Sequence, residues 1–137
     1  MSYAMAGALQ TAIYGHLVAD AQISTLVGTA IYDALPVGEL PETCVLLGTE
    51  DTLDRSSKTS AAAEHRLVIS VVTSSAGFAR AKLVAAAICD ALDAAELSLN
   101  RGALIGLWFQ RAAARRTGPA GRLRRIDMRF RAIVEDN

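Results

Sequence analysis

The sequence lacks any apolar run long enough to cross a bilayer. Apolar stretches such as 68–72 and 83–89 fall far short of the roughly 18–20 residues that a transmembrane helix needs. The N-terminal stretch 1–15 carries no basic residue and is interrupted by polar side chains, so it does not resemble a secretory signal. These absences predict a protein that is made in the cytoplasm and has no membrane segment.

Cysteine and histidine are scarce. Cys44 and Cys89 are the only cysteines, and neither has a second cysteine or a histidine at metal-ligand spacing. Each lies in an apolar stretch, which predicts a buried and unreactive thiol. His16 and His65, the only histidines, are interpreted as structural for the same reason. No metal and no cofactor is therefore predicted.

Catalytic motifs are missing as well. No serine lies in a GxSxG sequence, and the stretch 118–121 lacks the GK[ST] ending of a phosphate-binding loop. The acidic pairs Glu50/Asp51 and Asp90/Asp93 are expected at a strand end and on an exposed helix face. There, solvated surface is a simpler interpretation than acid–base chemistry. The sequence predicts a protein that is not an enzyme.

Arginine is abundant but unevenly distributed. Residues 101–137 hold nine of the twelve arginines against three acids, a net charge of +6. Residues 1–100 hold five basic residues against eleven acids, a net charge of −6. The formal net charge of zero therefore combines two opposite halves, and such a distribution suits self-association or the binding of a charged partner.

The periodicity of apolar residues predicts one α+β domain over residues 1–137. Helical spacing predicts helices over 5–19 and 78–95 and a further helical turn over 23–27. Alternating and β-branched segments predict strands over 30–33, 43–50, 64–74, 103–110 and 126–134. The stretch 51–63 is predicted to be an exposed, mobile loop, and 112–121 a turn-rich tip. The expected fold is a mostly antiparallel sheet with two main helices packed on it and a long C-terminal β-hairpin.

The basic hairpin allows two interpretations. Arginine side chains on a sheet can hold phosphates, and neighbouring aromatic rings can stack on bases, so a small nucleic-acid-binding domain is one candidate. Phe130, however, alternates with Arg129 and Arg131 and is therefore predicted to face the core. Trp108 is then the only aromatic residue that can share a face with the arginines. Nucleic-acid binding is retained as the alternative to a protein-assembly surface.

Several short strings of the sequence, in this order, resemble one known family. They are LQTAIY at 9–14, LVAD at 17–20, IYDALP at 31–36, LP at 40–41, EHRL at 64–67, AL at 91–92 within an alanine-rich helix, and RFRA at 129–132. Over about residues 8–134 the chain resembles the small tail-completion, or tail-terminator, proteins of long-tailed phages and gene transfer agents. That family carries no catalytic motif.

The resemblance implies a structural protein of the virion tail, made in the bacterial cytoplasm. It implies an α+β subunit that forms a hexameric ring, caps the tail tube, terminates tail polymerisation and joins the tail to the head-completion or stopper protein. The implied partners are further copies of the chain, the tail-tube protein and the head-completion protein. DNA would pass through the ring without sequence-specific binding.

Charge suggests which residues form the contact between subunits. A head-to-tail contact that repeats with a closing rotation generates a ring, and opposite charges on its two sides would set its register. The basic candidates are Arg111, Arg115, Arg116, Arg122, Arg124, Arg125 and Arg129; the acidic candidates are Glu50, Asp51 and Asp54, with Asp90, Asp93 and Glu96 as a second option. Residues 51–63 and 112–121 are expected to become ordered when they dock to a partner.

Overall fold

A computed structural model describes residues 3–93 and 95–136. Its elements, in chain order, are α1 (Ala6–Ala19), α2 (Ala21–Val27), β1 (Ile31–Tyr32), β2 (Thr43–Asp54), β3 (Ala61–Thr73), α3 (Ala79–Leu92), β4 (Ala103–Thr117) and β5 (Leu123–Asp136), with a 3₁₀ turn at Pro119–Gly121 between the last two strands. The predicted α+β class, the two main helices and the long C-terminal hairpin are confirmed.

The five strands form one sheet in the order β1-β2-β3-β5-β4. Only β1 and β2 are parallel, whereas β2–β3, β3–β5 and β5–β4 are antiparallel. The β-branched strand β3 lies at the centre, with buried residues on both of its faces. β1 and β4 therefore lie at opposite edges of the sheet.

The helices cover one face of the sheet and form the main core with it. Alternating apolar residues of β3 and β5, such as Ile69 and Phe130, are buried in one cluster with Leu9 and Ile13 of α1 and Ile88 of α3. Alternation in a strand sends its other residues to the opposite face. We call that opposite side the open face, because the main core between sheet and helices lies on the other side. Val27, at the end of α2, also packs against a small cluster on the open face.

Short polar contacts fix the helices relative to one another. Asp20 ends α1 and caps α2, since its carboxylate accepts a hydrogen bond from the Ile23 amide at 2.9 Å. His16 on α1 lies 2.7 Å from the carbonyl oxygen of Ala91 on α3. The structural interpretation of His16 is confirmed. Among the described residues, no helix is both long and apolar enough to span a membrane.

Two loop predictions were wrong, and both failed in the same way. Residues 51–54 and 61–63 belong to β2 and β3, so only 55–60 connect the two strands. Residues 112–117 belong to β4, which leaves a connection of five residues, 118–122, before β5. In each case the polar or alanine-rich stretch is extended because it pairs with a neighbouring strand along its full length. Strand pairing here overrides a weak local preference for strand.

The two thiols differ in their surroundings. Cys44 is buried beside Ala30 and Val72, as predicted, and burial raises the pKa of its thiol. Cys89 is only half-buried, with its Sγ 3.8 Å from the sulfur of Met128. Burial raises the pKa of Cys89 too, and Asp90 adds to that shift. Both thiols are therefore protonated at neutral pH, which limits their reactivity.

Candidate assembly surface

The arginines of the β4–β5 hairpin are divided between the two sides of the sheet. Strand register places Arg111 opposite Arg129 and Arg115 opposite Arg125, and all four lie on the open face by alternation with the buried residues of β5. Arg116 and Arg124 also pair with each other but lie on the helix side. The predicted interface arginines thus do not form one continuous face.

Arg115 and Arg125 share one acidic partner. Asp127 accepts from Arg125 Nε at 2.7 Å, from Arg115 at 3.3 Å and from the Ser70 hydroxyl at 2.6 Å. Burial by itself would raise the pKa of Asp127, but these hydrogen bonds and the Arg125 charge outweigh it and hold the pKa below its usual value. Asp127 therefore neutralises part of the hairpin's charge within the subunit.

Arg116 and Arg124 are anchored at the end of the hairpin. The Arg116 Nε donates to the carbonyl oxygen of Gly121 at 3.2 Å. The Arg124 guanidinium lies 5.8 Å from the centre of the Phe78 ring, at the start of α3, and donates to the carbonyl oxygen of Arg122 at 3.3 Å. Both guanidinium groups are positioned by these contacts but neither is charge-neutralised by them.

Arg111, Arg122 and Arg129 are exposed and form no ion pair within the described residues. Arg111 and Arg129 lie directly across from each other, and like charges in such cross-strand pairs are destabilising. The subunit alone does not compensate this repulsion. An acidic group from another molecule would relieve it.

An ion cluster on the open face was missed by the sequence analysis. Glu64, at 1 % exposure, accepts from Arg66 at 2.8 Å, from Arg131 at 3.0 Å and from Arg55 at 3.1 Å. The hydrogen bond from Arg66, with those from Arg131 and Arg55, lowers the pKa of Glu64 to about 2 despite its burial. Glu64 and Arg66 share a face of β3 by alternation, but Arg131 joins them only through the β3–β5 register, which no local pattern reveals. These three arginines are committed to the fold.

Trp108 is an aromatic residue of the open face beside the hairpin arginines, and its ring is already engaged. The Arg131 guanidinium lies 5.0 Å from the ring centre, a cation–π contact. Gly106 leaves the space for this arrangement, since a Cβ on Gly106 would lie 2.2 Å from the Trp108 ring. Phe130 is buried, as predicted. Among the described residues, no free aromatic ring therefore lies beside the open-face arginines for bases to stack on.

The three acidic candidates on β2 have different environments. The Glu50 carboxylate accepts a hydrogen bond from the Tyr3 hydroxyl and lies 3.5 Å from Nδ1 of the buried His65. Asp54 accepts from the Ser56 hydroxyl at 2.6 Å and from its amide at 3.1 Å, and these bonds lower its pKa. Asp51 is exposed on the open face. The hydrogen-bond capacity of Glu50 and Asp54 is thus partly used inside the subunit.

No group of three or more Cys, His, Asp or Glu residues in the described chain is placed to hold a metal ion. The family model for tail completion protein gp17 matches residues 11–135. The chain belongs to the tail completion protein family. The likeness predicted from short sequence strings is thereby confirmed, and membership of the family makes the chain a structural tail protein.

A solved structure agrees with this assignment. One chain of a structure described as the virion of a native gene transfer agent particle is 59% identical in sequence to this family member. The match covers 98% of this chain and 99% of that chain, with a TM-score of 0.92. No curated protein sequence matches the chain significantly.

Proposed function

We propose that the chain forms a closed, hexameric ring at the end of a virion tail, where it terminates tail polymerisation and joins the tail to the head-completion protein. Family membership and the 59% identity to a chain of a gene transfer agent virion support a role in a particle of that kind. The proposed partners are further copies of the chain, the tail-tube protein and the head-completion protein. DNA passes through the ring without sequence-specific recognition.

The observation that carries the ring proposal is the long, exposed edge strand β4. It has 15 residues, its outer edge pairs with no strand of the described chain, and residues 108–116 are all exposed. An open edge of this length is a template for contact with another chain. Register irregularities beside Gly106 and Arg111, together with the arginines, restrict which partners can dock.

The positions of the two sheet edges favour a ring over a symmetric dimer. β4 lies at one end of the sheet and β1 at the other, so a contact between the two ends is head to tail. Such a heterologous contact repeats from subunit to subunit and closes where its rotation allows. The proposed basic side consists of Arg111, Arg115, Arg116, Arg122, Arg124, Arg125 and Arg129. Charge alone makes Glu50, Asp51 and Asp54 candidates for the acidic side.

Charge reversal at the hairpin tests this function. We expect Arg115→Glu/Arg116→Glu to reduce the number of joined particles by at least an order of magnitude, because both substitutions put acids against an acidic partner surface. The matched control Arg115→Lys/Arg116→Lys keeps the charge and should assemble near the wild-type level. Particles are counted by electron microscopy, and circular dichroism confirms that each variant is folded.

Unchanged assembly of the folded Glu variant would refute this use of the hairpin. Tight, strongly salt-dependent binding of a short DNA or RNA by the purified wild-type protein would instead support the alternative nucleic-acid function.

A further inference from the structure

A second charged surface lies at the edge of the sheet opposite β4. Residues 33–42, here called the acidic loop, connect β1 to β2 and contain Asp33, Glu39 and Glu42 but no basic residue. All three acids are exposed, and none forms an ion pair within the described residues. The loop also presents Val37, which is fully exposed, and Leu35, at 55% exposure. It therefore has the charge and the apolar surface that complement β4.

Strand register places the acidic loop level with the basic half of β4. Tyr32, where the loop leaves β1, is level with Leu46, Ser70, Asp127 and Ala113 in the successive strands. Thr43, where the loop enters β2, is level with Thr73, Arg124 and Arg116. Both ends of the loop thus lie at the level of residues 113–116, the stretch that carries Arg115 and Arg116.

The acids of β2 lie at a different level. By the same register, Glu50 is level with Phe109, Asp51 with Trp108 and Asp54 with Leu104. Residues 103–110 of β4 contain no charged side chain. They expose instead apolar groups such as Ile105 and Phe109. A contact between the β2 acids and the arginines would therefore need one subunit to shift several residues along the strands.

Strand direction favours the same arrangement. β1 runs parallel to β2, and three antiparallel steps from β2 through β3 and β5 make β4 antiparallel to both. A neighbour in the same orientation would bring its β4 antiparallel to β1. Antiparallel pairing is slightly more stable per residue than parallel pairing, and the outer edge of β1 pairs with no described strand.

We infer that, in the assembled ring, the acidic loop of one subunit binds residues 111–116 of β4 of the next. The contact joins Asp33, Glu39 and Glu42 to Arg111, Arg115 and Arg116, with neighbouring subunits side by side and their strands along the ring axis. It also supplies acids close to the Arg111–Arg129 pair, which the subunit leaves uncompensated. The inference rests on the proposed ring and specifies its subunit contact.

Cysteine cross-linking in intact particles tests the register. Ala34, in the acidic loop, and Ala113, on β4, are both exposed, so Ala34→Cys/Ala113→Cys should leave the fold intact. With a short bismaleimide reagent, particles that contain this variant should give a ladder of covalent multimers on a denaturing gel. The single variants and the wild type, which keeps Cys44 and Cys89, should remain monomeric. The matched control Leu53→Cys/Ala113→Cys places the first thiol beside the β2 acids and should also give no ladder.

A charge exchange gives a second, independent test. Asp33→Lys/Glu39→Lys/Glu42→Lys should lower the number of joined particles at least tenfold, and so should Arg111→Glu/Arg115→Glu/Arg116→Glu. The chain that carries all six substitutions should recover most of the assembly, because the pairing is restored with its signs exchanged. A combination of the arginine reversals with Asp51→Lys/Asp54→Lys should not recover.

The outcomes separate this contact from the ring itself. A ladder from the Leu53 control and none from the Ala34 variant, or rescue by the Asp51/Asp54 reversals alone, would overturn the inferred register and leave the ring proposal intact. Absence of the wild-type chain from the tail end of particles would overturn the ring proposal. A ladder that stops at the dimer would contradict both, since a head-to-tail contact continues beyond two subunits.

Discussion

The β2–β3 and β4–β5 hairpins are both long antiparallel pairs in one sheet, yet they differ in how far their charged side chains are paired within the subunit. In the β2–β3 hairpin, Glu64 gathers three arginines, and Glu50 and Asp54 accept hydrogen bonds from nearby side chains. In the β4–β5 hairpin, Asp127 compensates only part of the positive charge. Charges that are paired within the subunit stabilise its fold, and charges that are left unpaired are available for assembly.

The comparison also shows why arginine content alone does not reveal which arginines lack a partner within the subunit. Arg131 belongs to the basic C-terminal segment, but its guanidinium contacts Glu64 and the Trp108 ring. Arg111 and Arg129 belong to the same segment, lie across from each other and form no ion pair within the described residues. Pairing across the sheet, and not position in the sequence, decides which arginines are free.

The largest effect on the fold is expected from Glu64→Gln. The substitution removes the carboxylate that forms ion pairs with Arg55, Arg66 and Arg131, and loss of one partner from a buried ion cluster is strongly destabilising. Because the arginines are partly exposed and screened, we expect a loss of about 2–3 kcal/mol of unfolding free energy, less than for a fully buried pair. Urea denaturation followed by circular dichroism measures it.

The matched control for Glu64→Gln is Glu135→Gln. Glu135 is an exposed acid whose carboxylate accepts from the Ser60 hydroxyl at 2.8 Å, and its loss should change stability by less than about 0.5 kcal/mol, as at most surface sites. Equal effects of the two substitutions would show that Glu64 does not hold the open face together.

A smaller, pH-dependent effect follows from the same carboxylate. The pKa of Glu64 is lowered from 4.5 to about 2 on folding, so its contribution to stability is complete above the unfolded pKa and is lost as the pH falls through the folded pKa. The difference in unfolding free energy between wild type and Glu64→Gln should therefore be constant above about pH 5 and shrink toward zero near pH 2. Urea unfolding at several pH values provides the measurement, and a difference that persists undiminished at pH 2 would contradict it.

The smallest effect on stability is expected from substitutions of the unpaired arginines in the β4–β5 hairpin. Arg111→Ala/Arg129→Ala removes two positive charges that face each other and have no ion-pair partner in the described subunit. The isolated chain should therefore be unchanged or more stable by up to about 0.5 kcal/mol. Assembly should nevertheless fall. The control Arg101→Ala removes an arginine that pairs with Asp136 at 2.9 Å and lies outside the proposed contact. A marked loss of stability in the double variant would show that these arginines stabilise the fold of the subunit.

The sequence predicted those parts of the fold that depend on local periodicity. Helix α1, helix α3 and the burial of Phe130 follow from spacing alone. Residues 51–54 and 112–117 do not, because their polar, alanine and arginine residues become strand only through pairing with β3 and β5. The full lengths of both hairpins are non-local properties.

The candidate site was predictable only in part, for the same reason. An excess of arginine in the hairpin was visible from composition. The burial of Glu64 under three arginines depends on two strand registers. The position of the acidic loop relative to the arginines of β4 also depends on register. Those relations are set by a sheet whose strand order differs from chain order, which local sequence patterns do not encode.

The most direct test is a cryo-electron microscopy map of the tail end of assembled particles, at a resolution that traces this chain. We predict a closed hexameric ring in which residues 111–116 of each copy lie against residues 33–42 of the next. A single copy, an isologous dimer, or a ring in which β4 faces away from its neighbours would contradict the assignment of the unpaired arginines to assembly.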